Sequence, residues 1–400
     1  MFFKDFGAFR VAVARHGVIE LCFSLRTGVK MSAPIPFKKP GAGGGKPVGK
    51  PGMPSKRLAG MQASQTVLVS NSAVPGVGVH VFEKGKWRKK EFSPSKAAIK
   101  IGSETQESEI VVSGAGVDKA QAIVKRMGDQ WFLMERGNSD LMRVNGVPCR
   151  QATFGGHDTC LVEIGDAKVV LVFGDGWKKS SKRKPLPDDY FSVATQGAPE
   201  KFPADHACFI GSHEACDFPL AEDLGAPRFA ACIADCDGRL AVIPIGSTVK
   251  IGGKEIGAPA PLDSRHVMQF DDIDIMFDPG SRGGKGGEGP LEFPPLSPAR
   301  FVFLQMVEGG AKPLNIPLPK AGKALVMGRS NEANIVIPSK SVSKQHLHLI
   351  TYPKSVLVTD LGSSNGTYVN EEKVKKKLMR AGDVLSVGEF HFFLSYALDS

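Results

Sequence analysis

Tyrosine and tryptophan are scarce in this 400-residue chain, with four Tyr and three Trp against 24 Phe, 46 Gly and 28 Pro. That balance points to many short strands and turns with flexible connectors. No uninterrupted apolar run approaches the ~20 residues that a membrane span requires, and no small-residue cleavage site of a signal peptide is evident. No Cys-x-x-Cys pair occurs, and the seven Cys have no regular spacing. An odd count of this kind argues for reduced thiols in a cytoplasmic compartment. Cys208, Cys216, Cys232 and Cys236 cluster, but their spacing does not suit zinc, so they read as small buried hydrophobes. Acidic residues are also rare at the start of the chain. Residues 1–60 hold eleven Lys/Arg and two Asp/Glu, so nearly all of the +10 net charge belongs to this stretch. The remaining 340 residues are close to neutral, which weighs against a basic docking face on a folded domain.

Within residues 1–30 the apolar residues are interrupted by Lys4, Asp5, Arg10, Arg15, His16 and Glu20. An organelle-targeting segment and a natural start at Met31 are both open readings. Residues 31–60 are rich in Lys, Gly and Pro and lack any acidic group, so they form too little apolar contact to order and read as a disordered tail. Gly41-Ala-Gly-Gly-Gly-Lys46 superficially suggests a phosphate loop. Pro40 stands where the first Gly is needed and Pro47 where Ser or Thr must hold the metal, so no nucleotide site is expected.

Internal repetition decides the organisation. Ile101-Gly-Ser103 precedes Glu109-Ile-Val-Val112, Ile210-Gly-Ser212 precedes Asp217-Phe-Pro-Leu220, and Met327-Gly-Arg329 precedes Asn334-Ile-Val-Ile337. Gly102, Gly211 and Gly328 are a domain length apart. The register continues: Val117-Asp-Lys-Ala-Gln121 and Ala226-Pro-Arg-Phe-Ala230 stand where Val342-Ser-Lys-Gln-His346 stands. Gly137, Ser139 and Asn145 fall on Gly362, Ser364 and Asn370. Trp177-Lys-Lys-Ser-Ser-Lys-Arg-Lys-Pro185 and the Gly-rich Gly280–Pro290 read as spacers, the second followed by a Pro-rich brace at Phe293–Pro298.

The last copy carries the chemistry. Arg329 follows the Gly that closes an apolar run, which puts a guanidinium fork at a strand-to-loop edge, and this fork is the preferred partner of a phosphate. Ser343 and Lys344 bring a hydroxyl and an ammonium from a second loop, while Ser364 and Asn365 bring a hydroxyl and an amide from a third. Asn365-Gly366 is also a hairpin signal, because both residues tolerate positive φ. Gly328-Arg329, Ser343-x-x-His346 and Ser364-Asn-Gly-Thr-x-x-Asn370 together resemble the forkhead-associated (FHA) domain, a phosphothreonine-reading β-sandwich. The resemblance implies that Arg329, Ser343 and Ser364 contact the phosphate with Lys344 in support, and that Asn365 bonds the peptide main chain. It also implies that Gly328, His346, Gly366 and Asn370 shape the loops. Flanking-residue selectivity would then fall to the loops around Ser339-Lys-Ser341 and Glu371-Glu-Lys373.

The expected architecture is all-β, with three tandem FHA-type sandwiches joined by flexible linkers behind a disordered basic tail. The limits are 1–75 for the tail, 76–176 and 195–279 for two degenerate copies, and 299–400 for the complete one. The first copy has Ser103 for the Arg, Asp118 for the Ser and Asp140 for the Asn, and its carboxylates would repel a phosphate. The second has Ser212 and Pro227 at the first two positions and lacks the Asn-Gly turn. The function implied is a non-enzymatic adaptor that binds a phosphothreonine protein and acts downstream of a Ser/Thr kinase. The alternative is an assembly subunit whose sandwiches bind partners without reading phosphate. Nucleic-acid attachment through the tail is the weaker reading, since the tail lacks interleaved aromatics for stacking. Neither a cofactor nor a metal is implied. His346 and His348 stand two apart, with no third ligand nearby.

Overall fold

Alternation of small groups of Val, Ile, Leu and Phe with polar residues sets the strands. In Ser355–Asp360, Val356 and Val358 face inward and their neighbours outward; in Leu347–Tyr352 the inward set is Leu347, Leu349 and Thr351. The computed structural model describes residues 76–93, 96, 98–128, 130–155, 158–174, 188–221, 225–283, 289–306 and 314–397. The expected tail and the basic run 177–185 lie outside them. Among the described residues the one helical element is a 3-10 turn at Gly280–Arg282.

Six sheets pair into three sandwiches, each a six-stranded sheet facing a five-stranded one. In the third sandwich the six-stranded sheet runs Leu314–Pro317, Phe301–Gln305, Phe390–Tyr396, Val384–Val387, Thr367–Val369, Glu372–Val374. Opposite it lie Ile335–Val336, Ala324–Gly328, Leu347–Tyr352, Ser355–Asp360 and Lys376–Met379. Their inward faces bury Met327, Leu347, Leu349, Val356 and Val358 against Phe301, Phe303, Leu385 and Phe392. The other two sandwiches repeat this order strand for strand. Even the single parallel pair recurs, as Ile101 with Ile110, Ile210 with Phe218 and Met327 with Ile335.

The Asn365-Gly366 hairpin expected from sequence is not formed. Ser355–Asp360 belongs to one sheet and Thr367–Val369 to the other, so the intervening loop crosses the sandwich. Gly366 alone takes a positive φ, 83°. The two-residue hairpin turn is Asn370-Glu371, with φ of 50° and 70° and Val369 paired to Glu372. Asn145-Gly146 and Gly252-Gly253 make the same turn in the earlier copies, and these are positions where both central residues must be left-handed.

The sandwiches also bury apolar surface against one another. The first lies between the other two. Its Leu161, Val170 and Val172 share a buried cluster with Phe209, Phe229, Cys232 and Ile243 of the second. Its Ile123, Phe132 and Met134 join the core of the third, where Phe132 meets Phe393 edge to face at 5.5 Å. Cys208, Cys216, Cys232 and Cys236 are all buried in these clusters, and burial raises each thiol above its ordinary range. Phe293 of the Pro-rich brace packs on the first interface, with Arg143 over its ring at 5.4 Å.

Polar bonds fix the contact between first and third sandwiches. Arg136 donates to Asp383 Oδ1 and Ala381 O, both at 2.9 Å, and Lys125 Nζ donates to Gly382 O at 2.8 Å. Burial pushes the Asp383 carboxyl up, but Arg136, the Arg380 N–H and the Asn370 amide hold it below the ordinary range. The unfolded chain therefore takes up this proton more readily than the native state. The stabilisation is present above the ordinary Asp pKa of about 4 and is lost as pH falls through the depressed native value. Arg136→Ala is expected to lower the unfolding free energy at neutral pH by about 3 kcal/mol. Urea denaturation checks this, and the deficit should shrink in acid once Asp383 is protonated in both states.

Candidate functional site

The loops at one end of the third sandwich are tied together through backbone bonds that follow from a close approach. Gly328 ends its strand against Lys344, whose carbonyl oxygen would lie 2.2 Å from any Cβ placed there. Only glycine permits this contact. The next two residues use it: Arg329 N–H donates to Ser343 O at 2.9 Å and Ser330 N–H to Lys344 O at 3.1 Å. The backbone of the Arg329 loop and that of the Ser343 loop are thereby locked side by side.

His346 joins this pair to the third loop. It is fully buried, its Nδ1 accepts from Ser343 N–H at 3.1 Å, and its Nε2 stands 3.2 Å from Gly366 O. Satisfying both requires the neutral ring with its proton on Nε2. Burial holds the imidazole below its usual pKa in keeping with this, against opposing pulls from Gly366 O and Asp360. Ser364 N–H donates to Ser343 Oγ at 3.0 Å, and the two hydroxyls stand 3.5 Å apart. Asn365 Nδ2 donates to Ser341 O at 2.7 Å, leaving its Oδ1 as an acceptor. Asn370 sits one turn away, where its side chain accepts from Val384 N–H and donates to Asp383, both at 2.9 Å.

A brace inside the third loop was not read from the sequence. The Asp360 carboxylate accepts from the N–H groups of Gly362 and Ser363 and from the hydroxyls of Ser363 and Thr367, at 2.5 to 2.9 Å. Burial raises this carboxyl, yet those bonds bring it below the ordinary range. An Asp two residues ahead of a Gly-Ser pair, as in Asp360-Leu-Gly-Ser363, is the local signal of such a turn.

Arg329 and Lys344 are exposed, and among the described residues neither side chain has a hydrogen-bond or ion-pair partner. Ser343 is half-buried, while Ser364 and Asn365 are exposed. The third sandwich thus presents a cationic, hydroxyl-bearing edge with no carboxylate bonded to Arg329. Such a group can grip a tetrahedral dianion through charge-assisted bonds.

Residues 325–388 match the family model described as FHA domain. The third sandwich is an FHA domain. The chain resembles the glycogen accumulation regulator GarA of Mycolicibacterium smegmatis, at 26% identity over 34% of this chain and 84% of the relative. The oxoglutarate dehydrogenase inhibitor of Corynebacterium efficiens is 29% identical over 34% of this chain and 89% of its own length. The ABC transporter ATP-binding/permease protein Rv1747 of Mycobacterium tuberculosis is 38% identical, but the chain spans only 8% of its length. Among solved structures, the FHA domain of the CT664 protein from Chlamydia trachomatis aligns at 30% identity, covering 25% of this chain and 99% of that one with a TM-score of 0.23.

The clamp recurs in the sandwiches outside the FHA match, without the phosphate set. Ser103 N–H bonds Asp118 O at 3.0 Å with Gly102 against Lys119 O, and Ser212 N–H bonds Pro227 O at 2.9 Å with Gly211 against Arg228 O. Buried Gln121 takes the place of His346, accepting from Asp118 N–H at 2.9 Å and donating to Ser139 O at 3.2 Å. The two carboxylates expected to repel phosphate are engaged in structural bonds. Asp118 accepts from Asn138 N–H at 2.6 Å, and Asp140 holds Arg150 at 2.8 Å and Lys354 of the FHA domain. His346→Gln in the FHA domain should therefore keep the bond from Ser343 N–H, as Gln121 keeps the one from Asp118 N–H, and most of the stability. His346→Leu leaves the buried Ser343 N–H and Gly366 O unpaired, which should cost about 1–3 kcal/mol; thermal unfolding of the two variants measures the contrast.

Proposed function

We propose that this chain is a non-enzymatic adaptor whose FHA domain captures phosphothreonine on a partner protein after a Ser/Thr kinase has acted. The observation that carries the reading is the unengaged Arg329 guanidinium beside loops held in register by the Ser343–Ser364 and His346–Gly366 bonds. Arg329, Ser343 and Ser364 take the phosphate, Lys344 adds long-range attraction, and Asn365 accepts a main-chain N–H of the peptide. Gly328, His346, Gly366 and Asn370 position these groups. The relatives, a glycogen accumulation regulator and an oxoglutarate dehydrogenase inhibitor, are named for roles that accord with binding.

The domain limits that go with this reading are 76–176 and 299–400 for the outer two in sequence, behind a basic tail over 1–75; the second, expected over 195–279, begins earlier, because Tyr190–Ala194 pairs with Ile273–Asp278 in its sheet. A cytoplasmic setting fits a kinase partner. No helix among the described residues is long and apolar enough to cross a membrane. The alternative role, phosphate-independent assembly, has support of its own for the first sandwich, whose two outward faces are buried against the second sandwich and against the FHA domain.

Arg329→Ala is expected to weaken binding of a phosphothreonine peptide, chosen from a degenerate library, by at least about 2 kcal/mol, or some thirtyfold. Arg329→Lys should recover part of this, since it keeps the charge but loses the fork. Titration calorimetry on the full chain reads both. Unchanged affinity in Arg329→Ala would overturn the assignment, and loss of binding on dephosphorylation of the peptide is its necessary companion.

A further inference from the structure

Each sandwich has two outward faces. On the six-stranded sheet, three pairs back from the end of the last hairpin, an outward pair recurs in register. It is Leu161 with Val170 in the first sandwich, Val267 with Met276 in the second and Val384 with Phe393 in the third. On the five-stranded sheet the outward ladder is Cys232 with Ile243 and Ala234 with Ala241 in the second sandwich. Its counterparts are Ile123 with Met134 and Lys125 with Phe132 in the first, and His348 with Thr359 and Ile350 with Leu357 in the third.

These two kinds of face meet twice within the chain. The hairpin face of the first sandwich, Leu161 and Val170, is buried with Cys232, Ala234, Ala241 and Ile243 on the ladder face of the second. The hairpin face of the third, Val384 and Phe393, is buried with Ile123, Phe132 and Met134 on the ladder face of the first. Both contacts join unlike faces. The second and third sandwiches therefore occupy opposite sheets of the first, and one face of each kind is left over at opposite ends of the stack. The left-over hairpin face carries Val267 at 54% exposure and Met276 at 50%. The left-over ladder face carries the row Ala324, Ile350, Leu357, Leu378, with Leu378 at 47% and no member in any buried cluster. Asp274 flanks the first and Lys376 the second, both exposed, so these two can pair across a joint, although Lys250 and the Arg265–Asp278 ion pair share the first face.

We propose that copies of this chain associate head to tail, the Val267–Met276 face of one docking on the Ile350–Leu357–Leu378 face of the next. The occupant is a second copy because this chain already builds that kind of contact twice from the same repeat positions. The joint is heterologous, so it propagates into a linear array unless its rotation closes a ring. It uses no residue of the phosphate site, and its exposed apolar side chains belong to the class of surface that marks interaction sites.

Sedimentation velocity of the full chain across the micromolar range tests this. Wild type should show a coefficient that rises with concentration past that of a dimer. Met276→Asp and Leu378→Glu should each stay monomeric with unchanged circular dichroism, since both positions are exposed, and Val267→Asp replaces Met276→Asp should that variant misfold. An equimolar mixture of the hairpin-face and ladder-face variants retains one intact joint, so it should give a dimer and nothing larger. A wild type that remains monomeric, an assembly that survives both variants, or a mixture that stays monomeric would overturn the proposal.

Discussion

Everything at the recognition end rests on one close backbone contact, in which the strand-ending glycine lets two successive N–H groups reach two successive carbonyls of the neighbouring loop. In the FHA domain these are the N–H groups of Arg329 and Ser330 on the carbonyls of Ser343 and Lys344. Because the clamp is made of main chain, the side chains at its corners can change without unlatching it. Arg329, Ser103 and Ser212 occupy one corner and Ser343, Asp118 and Pro227 another on the same first bond, and the second bond recurs as His213 N–H to Arg228 O in the second sandwich. A loop end whose geometry does not depend on its chemistry is a scaffold on which binding can be gained or lost.

The three sandwiches show both outcomes. The FHA domain leaves Arg329 and Lys344 without a partner among the described residues and keeps the Ser343 and Ser364 hydroxyls close together. The first sandwich has inverted the charge: Asp140 stands where the FHA domain has Asn365, and it accepts Arg150 and Lys354, the latter reaching across from the FHA domain itself. Glu135 beside it is fully buried, and burial raises its carboxyl against the pull of Lys354 at 3.4 Å. A loop set that in one copy is open to an anion thus serves in another as the socket for a lysine of its neighbour. The clamp is shared, and the sign of the charge upon it differs.

Much of this was legible in the residues. The period of Gly102, Gly211 and Gly328, and the register through Asn145 and Asn370, carry the three sandwiches because main-chain clamps and left-handed turns restrict the residue types allowed. Arg329, Ser343 and Ser364 read as members of three separate loops, and bonds from Arg329 N–H to Ser343 O and from Ser364 N–H to Ser343 Oγ join those loops. Two things were not legible. Asn365-Gly366 read as a hairpin, since local turn propensity cannot tell a turn between paired strands from a loop that crosses between sheets. The contacts between sandwiches were hidden because Cys232, Ile243, Ile123 and Phe132 are apolar residues in strands, and the alternation that marks a core face looks alike whether the partner is the same domain or the next.

A crystal structure of the chain with a bound phosphothreonine peptide decides whether Arg329, Ser343 and Ser364 form one phosphate receptacle. The account requires the phosphate oxygens to lie within hydrogen-bonding distance of the Arg329 guanidinium, Ser343 Oγ and the Ser364 loop, with Asn365 against the peptide main chain. A phosphate seated on another surface, or a peptide bound with Arg329 turned away from it, would contradict the account.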